Sequence, residues 1–265
     1  MNNTDVKEIV KEKYGEIASK SSSGCGCGCG GKNNKIDDYS IMNDEYKNVK
    51  GYVADADLNL GCGIPTEFAA IKEGDTVVDL GSGAGNDVFI ARAITGDKGK
   101  VIGIDFTPEM IEKANRNNQK LQYSNIEFKL GEIEDMPLTE NTANVVVSNC
   151  VLNLVPDKQK AFSEIYRILK PGGHFCVSDI VIKGNLPEEL RKSAELYAGC
   201  ISGAVGHDEY LGIIKQSGFS NIEIKKTKTL SFPDDLLKKY LSKENINSLE
   251  KNKVGIFSIT VYAEK

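Results

Sequence analysis

The stretch from Val77 to Asp87, read V-V-D-L-G-S-G-A-G-N-D, restricts the fold more than any other part of the chain. Thr76, Val77 and Val78 are β-branched and open a short apolar strand, which Asp79 and Leu80 carry to an abrupt glycine turn. Gly81, Gly83 and Gly85 lead from that turn into Asp87-Val-Phe-Ile-Ala-Arg-Ala-Ile94, a helix-like run. Strand, glycine turn, helix is the opening unit of a doubly wound α/β sheet, and its glycines let backbone approach a ligand that side chains would block. The G-x-G-x-G spacing differs from the dinucleotide fingerprint G-x-G-x-x-G, whose third glycine comes one residue later. A glycine triplet alone is a weak signal, because any tight strand-to-helix turn can use one.

Further elements follow in order. Lys100 to Phe106, K-V-I-G-I-D-F, reads as a second strand ending at Asp105, where an acidic side chain can accept hydrogen bonds from both hydroxyls of a ribose. Asn125 to Leu130 reads as a third strand, followed by Gly131-Glu-Ile-Glu-Asp-Met-Pro137. Asn144 to Asn149 is the fourth, and Tyr166-Arg-Ile-Leu-Lys-Pro-Gly-Gly173 turns into a fifth at His174 to Ile182. Together these motifs resemble those of class I S-adenosylmethionine-dependent methyltransferases; the competing reading is a Rossmann-like domain for another nucleotide. The resemblance implies a Rossmann-like α/β fold, a seven-stranded mostly parallel sheet with an antiparallel last strand and helices on both faces. It implies S-adenosylmethionine as cofactor, with Gly81, Gly83 and Gly85 cradling the methionine part and Asp79 near its amino end. Asp105 would hold the ribose, Met110 would pack on the adenine, and Glu132 with the Ile133 amide would read the adenine edge. Phe106 and Asn149 complete the implied cofactor set.

At 265 residues the chain accommodates one substantial α/β domain plus an appendage. Residues 46–265 are assigned to the catalytic domain, with substrate-lid segments around 46–65 and 183–217. Residues 1–45 form the appendage: an amphipathic helix over 4–19, with Val6, Ile9, Val10, Lys13, Tyr14 and Ile17 near one face, then a Gly/Cys-rich run expected to be flexible. Removing residues 1–35 is therefore expected to leave fold and cofactor binding intact. Helices are expected at Thr66 to Lys72, from Thr107 with Pro108 at its first position, at Pro187 to Ala198 and at Asp208 to Ser217. Asn221 to Ser231 and Lys253 to Ala263 read as the last two strands. The net charge of −5 gives no electrostatic reason to expect nucleic acid. No run suits a membrane helix or a signal peptide, so a cytoplasmic enzyme is the natural reading.

Seven cysteines stand at positions 25, 27, 29, 62, 150, 176 and 200, an odd count whose spread argues against a disulfide scaffold. The two histidines offer no catalytic constellation: His174 opens a strand as a surface residue, and His207 sits at a helix start. Cys176 lies in an apolar strand and reads as a small core hydrophobe. Cys62, Cys150 and Cys200 instead lie in loops, in the three regions that converge over the methyl group in the class I fold. Three thiolates around one atom suit a soft trivalent centre, and arsenic(III) fits. Its lone pair is itself a nucleophile, so no general base is required.

Leu60-Gly-Cys-Gly-Ile-Pro65, Ser148-Asn-Cys-Val-Leu-Asn-Leu154 and Tyr197-Ala-Gly-Cys-Ile-Ser-Gly-Ala204 look like the three cysteine motifs of arsenite S-adenosylmethionine methyltransferases. The resemblance runs over roughly residues 46–265. It implies Cys62, Cys150 and Cys200 as the arsenic-binding catalytic thiols, with no metal cofactor. It implies arsenite or its thiol conjugates as substrate, a thiol reductant of the glutathione or thioredoxin type, and neither nucleic acid nor membrane as partner. Some family members use a fourth, N-terminal cysteine, and here Cys25, Cys27 or Cys29 could supply it, with the choice open. Two alternatives stand beside this reading: a class I methyltransferase acting on carbon or oxygen of a small metabolite, and a non-catalytic thiol protein that buffers metalloid. Cysteine-to-serine variants separate them.

Overall fold

The computed structural model describes residues 3–20, 46–184, 203–230, 238, 242–246 and 255–265. Helix α1 (Asn3–Lys20) precedes an alternation of strand and helix: β1 (Thr76–Leu80), α2 (Asn86–Thr95), β2 (Lys100–Asp105), α3 (Pro108–Leu121), β3 (Ile126–Leu130), β4 (Ala143–Asn149), α4 (Lys158–Ile168) and β5 (Leu169–Lys183). Helix α5 (His207–Gln216) then leads to β6 (Ser220–Leu230) and β7 (Gly255–Glu264). The seven strands lie in the order β3-β2-β1-β4-β5-β7-β6. β1 to β5 run parallel, and β7 inserts antiparallel between β5 and β6. This is the expected seven-stranded sheet with its antiparallel last strand.

The central strands β1, β2 and β4 read as nearly continuous apolar runs because both faces of the sheet are covered there. On one face Phe162 of α4, Phe175 of β5, Tyr210 of α5 and Phe219 form an aromatic core with edge-to-face contacts. On the other, Val77, Val101, Val145, Val147 and Cys176 pack under Val88 and Ala91 of α2. Cys176 is the core hydrophobe that its strand suggested, and burial pushes its thiol up to about 12. From β1 the chain crosses outward to β2 and β3, then returns to β4 on the other side. That reversal opens a crevice at the carboxyl ends of β1 and β4, where ligands of open α/β sheets bind.

Three local expectations need correction. The helix expected at Thr66 to Lys72 is only a 3-10 turn, Pro65–Glu67. Ala70 adopts a positive φ of 48°, which ends helical winding, and the Ala69 carbonyl turns aside to accept from His174. His174 is accordingly no free surface residue: its Nε2 lies 2.7 Å from that carbonyl and its ring stacks on Tyr262. The Pro171-Gly172-Gly173 turn is absorbed into β5 as a register shift, Ala143 pairing with Leu169 but Val145 with His174. The expected helix at Pro187 to Ala198, and Cys25, Cys27, Cys29 and Cys200, lie outside the described residues. Among the described residues no helix is long and apolar enough to cross a membrane.

Candidate active site at the carboxyl edge of the sheet

A cleft with about 1140 Å³ of empty space, partly open to solvent, occupies the crevice. Asp79, Gly81, Gly83, Asp105, Phe106, Met110, Glu132, Ile133, Asn149 and Cys150 all line it. Of the residues singled out from sequence, Gly85 and Cys62 are not on its wall. Gly85 has φ +100° as the N-cap of α2, and a Cβ there would lie 2.9 Å from Phe89 and 3.0 Å from Phe128, so its small size serves packing. Gly81 has φ +68° and would press a Cβ into Val151, in the loop after β4. Gly83, at φ +51°, would set a Cβ 4.0 Å from the Met110 sulfur and against nothing nearer, and lines the cleft.

Asp105 is held by its own backbone surroundings. One carboxylate oxygen accepts from the Thr107 amide at 2.8 Å, the other from the Gly83 amide at 2.9 Å. A carboxylate has about four lone-pair sites, so both oxygens can still accept from a ligand. The amide bonds also tie the glycine turn to the end of β2, setting the width of this end of the cleft.

Three buried carboxylates share this region. Burial raises Asp79 well above the usual carboxylate range, with Asp87 and Asp105 adding repulsion. Burial likewise brings Asp87 up to about 6, against hydrogen bonds from Asn149 and Tyr46 that pull it down. Asp105 is raised by burial and partly restored by the Thr107 and Gly83 amides. Carboxylates desolvated together in one wall favour a cationic ligand, whose charge would offset their mutual repulsion.

Sequence reasoning passed over Asp87 and Tyr46 as site residues. Tyr46, in the first lid segment, is buried and its hydroxyl reaches the Gly63 carbonyl at 2.9 Å and Asp87 at 3.1 Å. The Asn149 amide joins the same knot, bonding the Tyr46 hydroxyl, the Gly63 carbonyl at 2.8 Å and, through Oδ1, the Cys62 amide at 3.1 Å. Asn149 thus fastens the lid to the end of β4 as well as lining the cleft. An acid directly ahead of the apolar run Val88-Phe-Ile-Ala91 was the available signal for Asp87.

Helix α1 is also part of the wall. Lys7, Val10 and Tyr14 line the cleft, and Lys7 Nζ bridges Glu132 at 2.6 Å and Glu134 at 2.5 Å. Burial pulls the Lys7 ammonium down, but the two carboxylates outweigh it and hold it above its ordinary value. Glu132, half exposed, is therefore engaged by α1 at the edge where an adenine was expected. The segment whose removal was expected to leave fold and cofactor binding intact thus contributes, through α1, to the cleft wall.

The two described loop thiols are tied to the same strand edge, the Cys62 amide donating to Asn149, the residue before Cys150. Cys150 has φ +61°, a left-handed conformation that costs energy for a residue with a Cβ, and its amide donates to the Ser178 carbonyl at 2.8 Å. Cys62 lies just behind the cleft wall, its carbonyl accepting from Ser258 of β7 at 2.5 Å. Both are buried, and neither is in a disulfide. Both lie within electrostatic reach of the Tyr210 hydroxyl.

Residues 71–218 match the family model described as methyltransferase domain, which covers more than half of the chain. The chain belongs to the methyltransferase domain family. This methyltransferase is 47% identical over 173 residues to an arsenite methyltransferase of Halobacterium salinarum, covering 65% of the present chain and 44% of that relative. It is 38% identical over 170 residues to the arsenite methyltransferase of Homo sapiens, covering 60% of the present chain and 44% of that relative. The chain thus spans less than half the length of these curated relatives. In structure it is similar to an arsenic(III) S-adenosylmethionine methyltransferase from Chlamydomonas reinhardtii, with TM-score 0.67 and 31% identity over 86% of this chain and 73% of that one. The resemblance drawn from the cysteine motifs is to the same family as these relatives.

Proposed function

We propose that this methyltransferase takes a methyl group from S-adenosylmethionine and delivers it to trivalent arsenic held by cysteine thiolates. The observation that carries the reading is Cys150, a buried thiol lining the same cleft as three desolvated carboxylates, with the Cys62 amide tied to the adjacent Asn149. The relatives named as arsenite methyltransferases support it.

The residues present fit the cofactor. Ser82 Oγ and Asn86 Oδ1 are buried against the cleft and find no hydrogen-bond partner among the described residues, so both are available to a polar ligand. Asp105 keeps lone pairs for ribose hydroxyls, and Asp79 and Asp87 suit cationic groups. When bound, S-adenosylmethionine supplies an electrophilic methyl on a sulfonium. Phe106 and Met110 bring apolar surface for the adenine, and Gly83 leaves room for the chain between sulfur and ribose.

Cys62, Cys150 and Cys200 hold the arsenic, and its lone pair serves as nucleophile without a general base. Thiolate is the binding form, and as each As–S bond forms the thiol proton leaves with an arsenite hydroxyl as water. A thiol reductant of the glutathione or thioredoxin type completes turnover, which fits a cytoplasmic setting. Cys25, Cys27 or Cys29 supplies any fourth thiol.

The test is incubation with arsenite, glutathione and methyl-labelled cofactor, followed by chromatographic separation of arsenic species. Labelled methylarsenic from the wild type and not from Cys150→Ser is the expected result. Cofactor binding without any labelled arsenic product would sink the arsenic reading.

A further inference from the structure

Cys62 is flanked by a glycine on each side, and the reason lies on β5 and β7. On the face of the sheet that carries Cys176, the residues Ser178, Ser258 and Thr260 place three hydroxyls, each residue at most 3% exposed. Ser178 and Thr260 are cross-strand partners whose hydroxyls bond each other at 2.8 Å. Ser258, two residues back along β7, donates to the Cys62 carbonyl at 2.5 Å. Buried hydroxyls cost stability unless they are hydrogen-bonded, and apolar side chains would pack the same layer without that cost. A row of hydroxyls instead suits polar main chain laid against it.

The loop before β1 lies that close. A Cβ at Gly61 would come within 2.7 Å of the Asn149 side-chain nitrogen, and one at Gly63 would collide with the Ser178 hydroxyl. Glycine at both positions lets the main chain reach its partners, and Cys62 is left as the one side chain of the three. All four main-chain polar groups of Cys62 and Gly63 are then held by side chains from elsewhere in the fold. Asn149 Oδ1 accepts from the Cys62 amide at 3.1 Å and from the Gly63 amide at 3.3 Å. Ser258 holds the Cys62 carbonyl, and the Gly63 carbonyl accepts from Asn149 at 2.8 Å and from the Tyr46 hydroxyl at 2.9 Å. Bonds on both sides of the Cys62 α-carbon fix its two soft torsions, and with them the direction of its Cα–Cβ bond.

We propose that Ser258 is a positioning residue for Cys62, completing a main-chain clamp that sets where this thiol is presented to arsenic. A residue presented in advance binds without first giving up the freedom of a loose loop, so the gain falls on arsenite capture rather than on the transfer step. Tyr46 and Asn149 belong to the same clamp but also line the cleft, so a variant at either would disturb cofactor and thiol together. Ser258 is not on the cleft wall, and its loss is read on the thiol alone.

This inference rests on the arsenic reading, and the measurements separate the two. Ser258→Ala is expected to bind S-adenosylmethionine as the wild type does and to raise KM for arsenite about tenfold, with kcat changing less. Ser258→Thr keeps a hydroxyl and is expected to restore most of the loss. A readout free of arsenic is iodoacetamide labelling of the native protein, followed peptide by peptide in mass spectrometry. Cys62 should label about fivefold faster in Ser258→Ala, while Cys176, in the β5 core, labels at the wild-type rate. A purely structural role would speed both cysteines together and leave KM for arsenite unchanged in the folded protein. A folded Ser258→Ala with wild-type KM overturns the inference while the arsenic reading stands, and so does an equal gain in labelling at Cys62 and Cys176. Should Ser258→Ala not fold, Gly63→Ala, whose methyl must lift the loop from Ser178, takes its place, and a wild-type KM there overturns the inference equally. A wild type that methylates no arsenite overturns both.

Discussion

The two ends of the cleft are built in different ways. The cofactor end comes from consecutive pieces of chain: the glycine turn after β1, the end of β2, and the loop after β3. Its key contacts are short-range or between adjacent strands, as when Asp105 accepts from Thr107 and from Gly83. The thiol end is gathered from remote segments. The Cys62 amide reaches Asn149 across 87 residues, and its carbonyl is bound by Ser258 across 196. Local turn chemistry is enough to shape the first end, whereas only the completed sheet can shape the second. Damage to one end should therefore leave the other largely intact.

The largest expected effect is on the cofactor end. Asp105→Ala removes two charge-assisted ligand bonds and should weaken S-adenosylmethionine binding by about 2–4 kcal/mol, read by calorimetry. Unchanged affinity would take Asp105 out of the site. Cys150→Ser should do the reverse: arsenite methylation falls on the order of 100-fold through misalignment of the arsenic, with cofactor affinity preserved. Loss of both functions together in that variant would show that the two ends are not separable.

Deleting residues 1–20 sharpens the comparison, because α1 packs on α3 and bridges Glu132 and Glu134 at the cofactor end. Removing Val10, Tyr14 and the Lys7 bridge to Glu132 and Glu134 should cost about tenfold in cofactor affinity, by apolar burial and lost hydrogen bonds. A truncated protein that binds cofactor with wild-type affinity would make α1 mere packing on α3.

The smallest effect is on stability against pH. Asp87 is raised to about 6 and Asp179 to about 7, both chiefly by burial. A carboxyl whose pKa is higher folded than unfolded favours the fold most fully in acid, below its unfolded value near 3.8. That contribution is lost as pH rises through 6 and 7. The melting temperature of the cofactor-free protein should therefore fall between pH 5 and pH 8 from these groups, and S-adenosylmethionine should reduce the part due to Asp87. An equal slope with and without cofactor would separate Asp87 from the ligand.

Much of the sheet was legible because the central strands are apolar runs bounded by turn residues and the last two alternate, and periodicity reports both patterns directly. Asp105 was legible for the same local reason, standing at a strand end before Thr107 and Pro108. Other features depend on what lies opposite in space. The amphipathic character of α1 was visible, but not that its Lys7 meets Glu132 across 125 residues. Gly85 reads as a ligand-cradling glycine until Phe89 and Phe128 are seen to close on it. Thr66 to Lys72 carries helix-compatible residues, yet Ala70 leaves helical space. The Tyr46–Asp87–Asn149 knot joins three segments that no spacing rule connects.

The bond from Ser258 to the Cys62 carbonyl bears on how the protein is made. β7 is the last described strand to leave a ribosome, and it must enter between β5 and β6 before Ser258 can reach Cys62. During synthesis the first lid segment waits, unfastened on that side, while nearly two hundred residues are added. A nascent chain can thus shape its nucleotide cradle early but cannot fully fix Cys62 until translation has delivered β7. On the proposed arsenic reading, metalloid met before that moment would encounter separate thiols rather than a finished site.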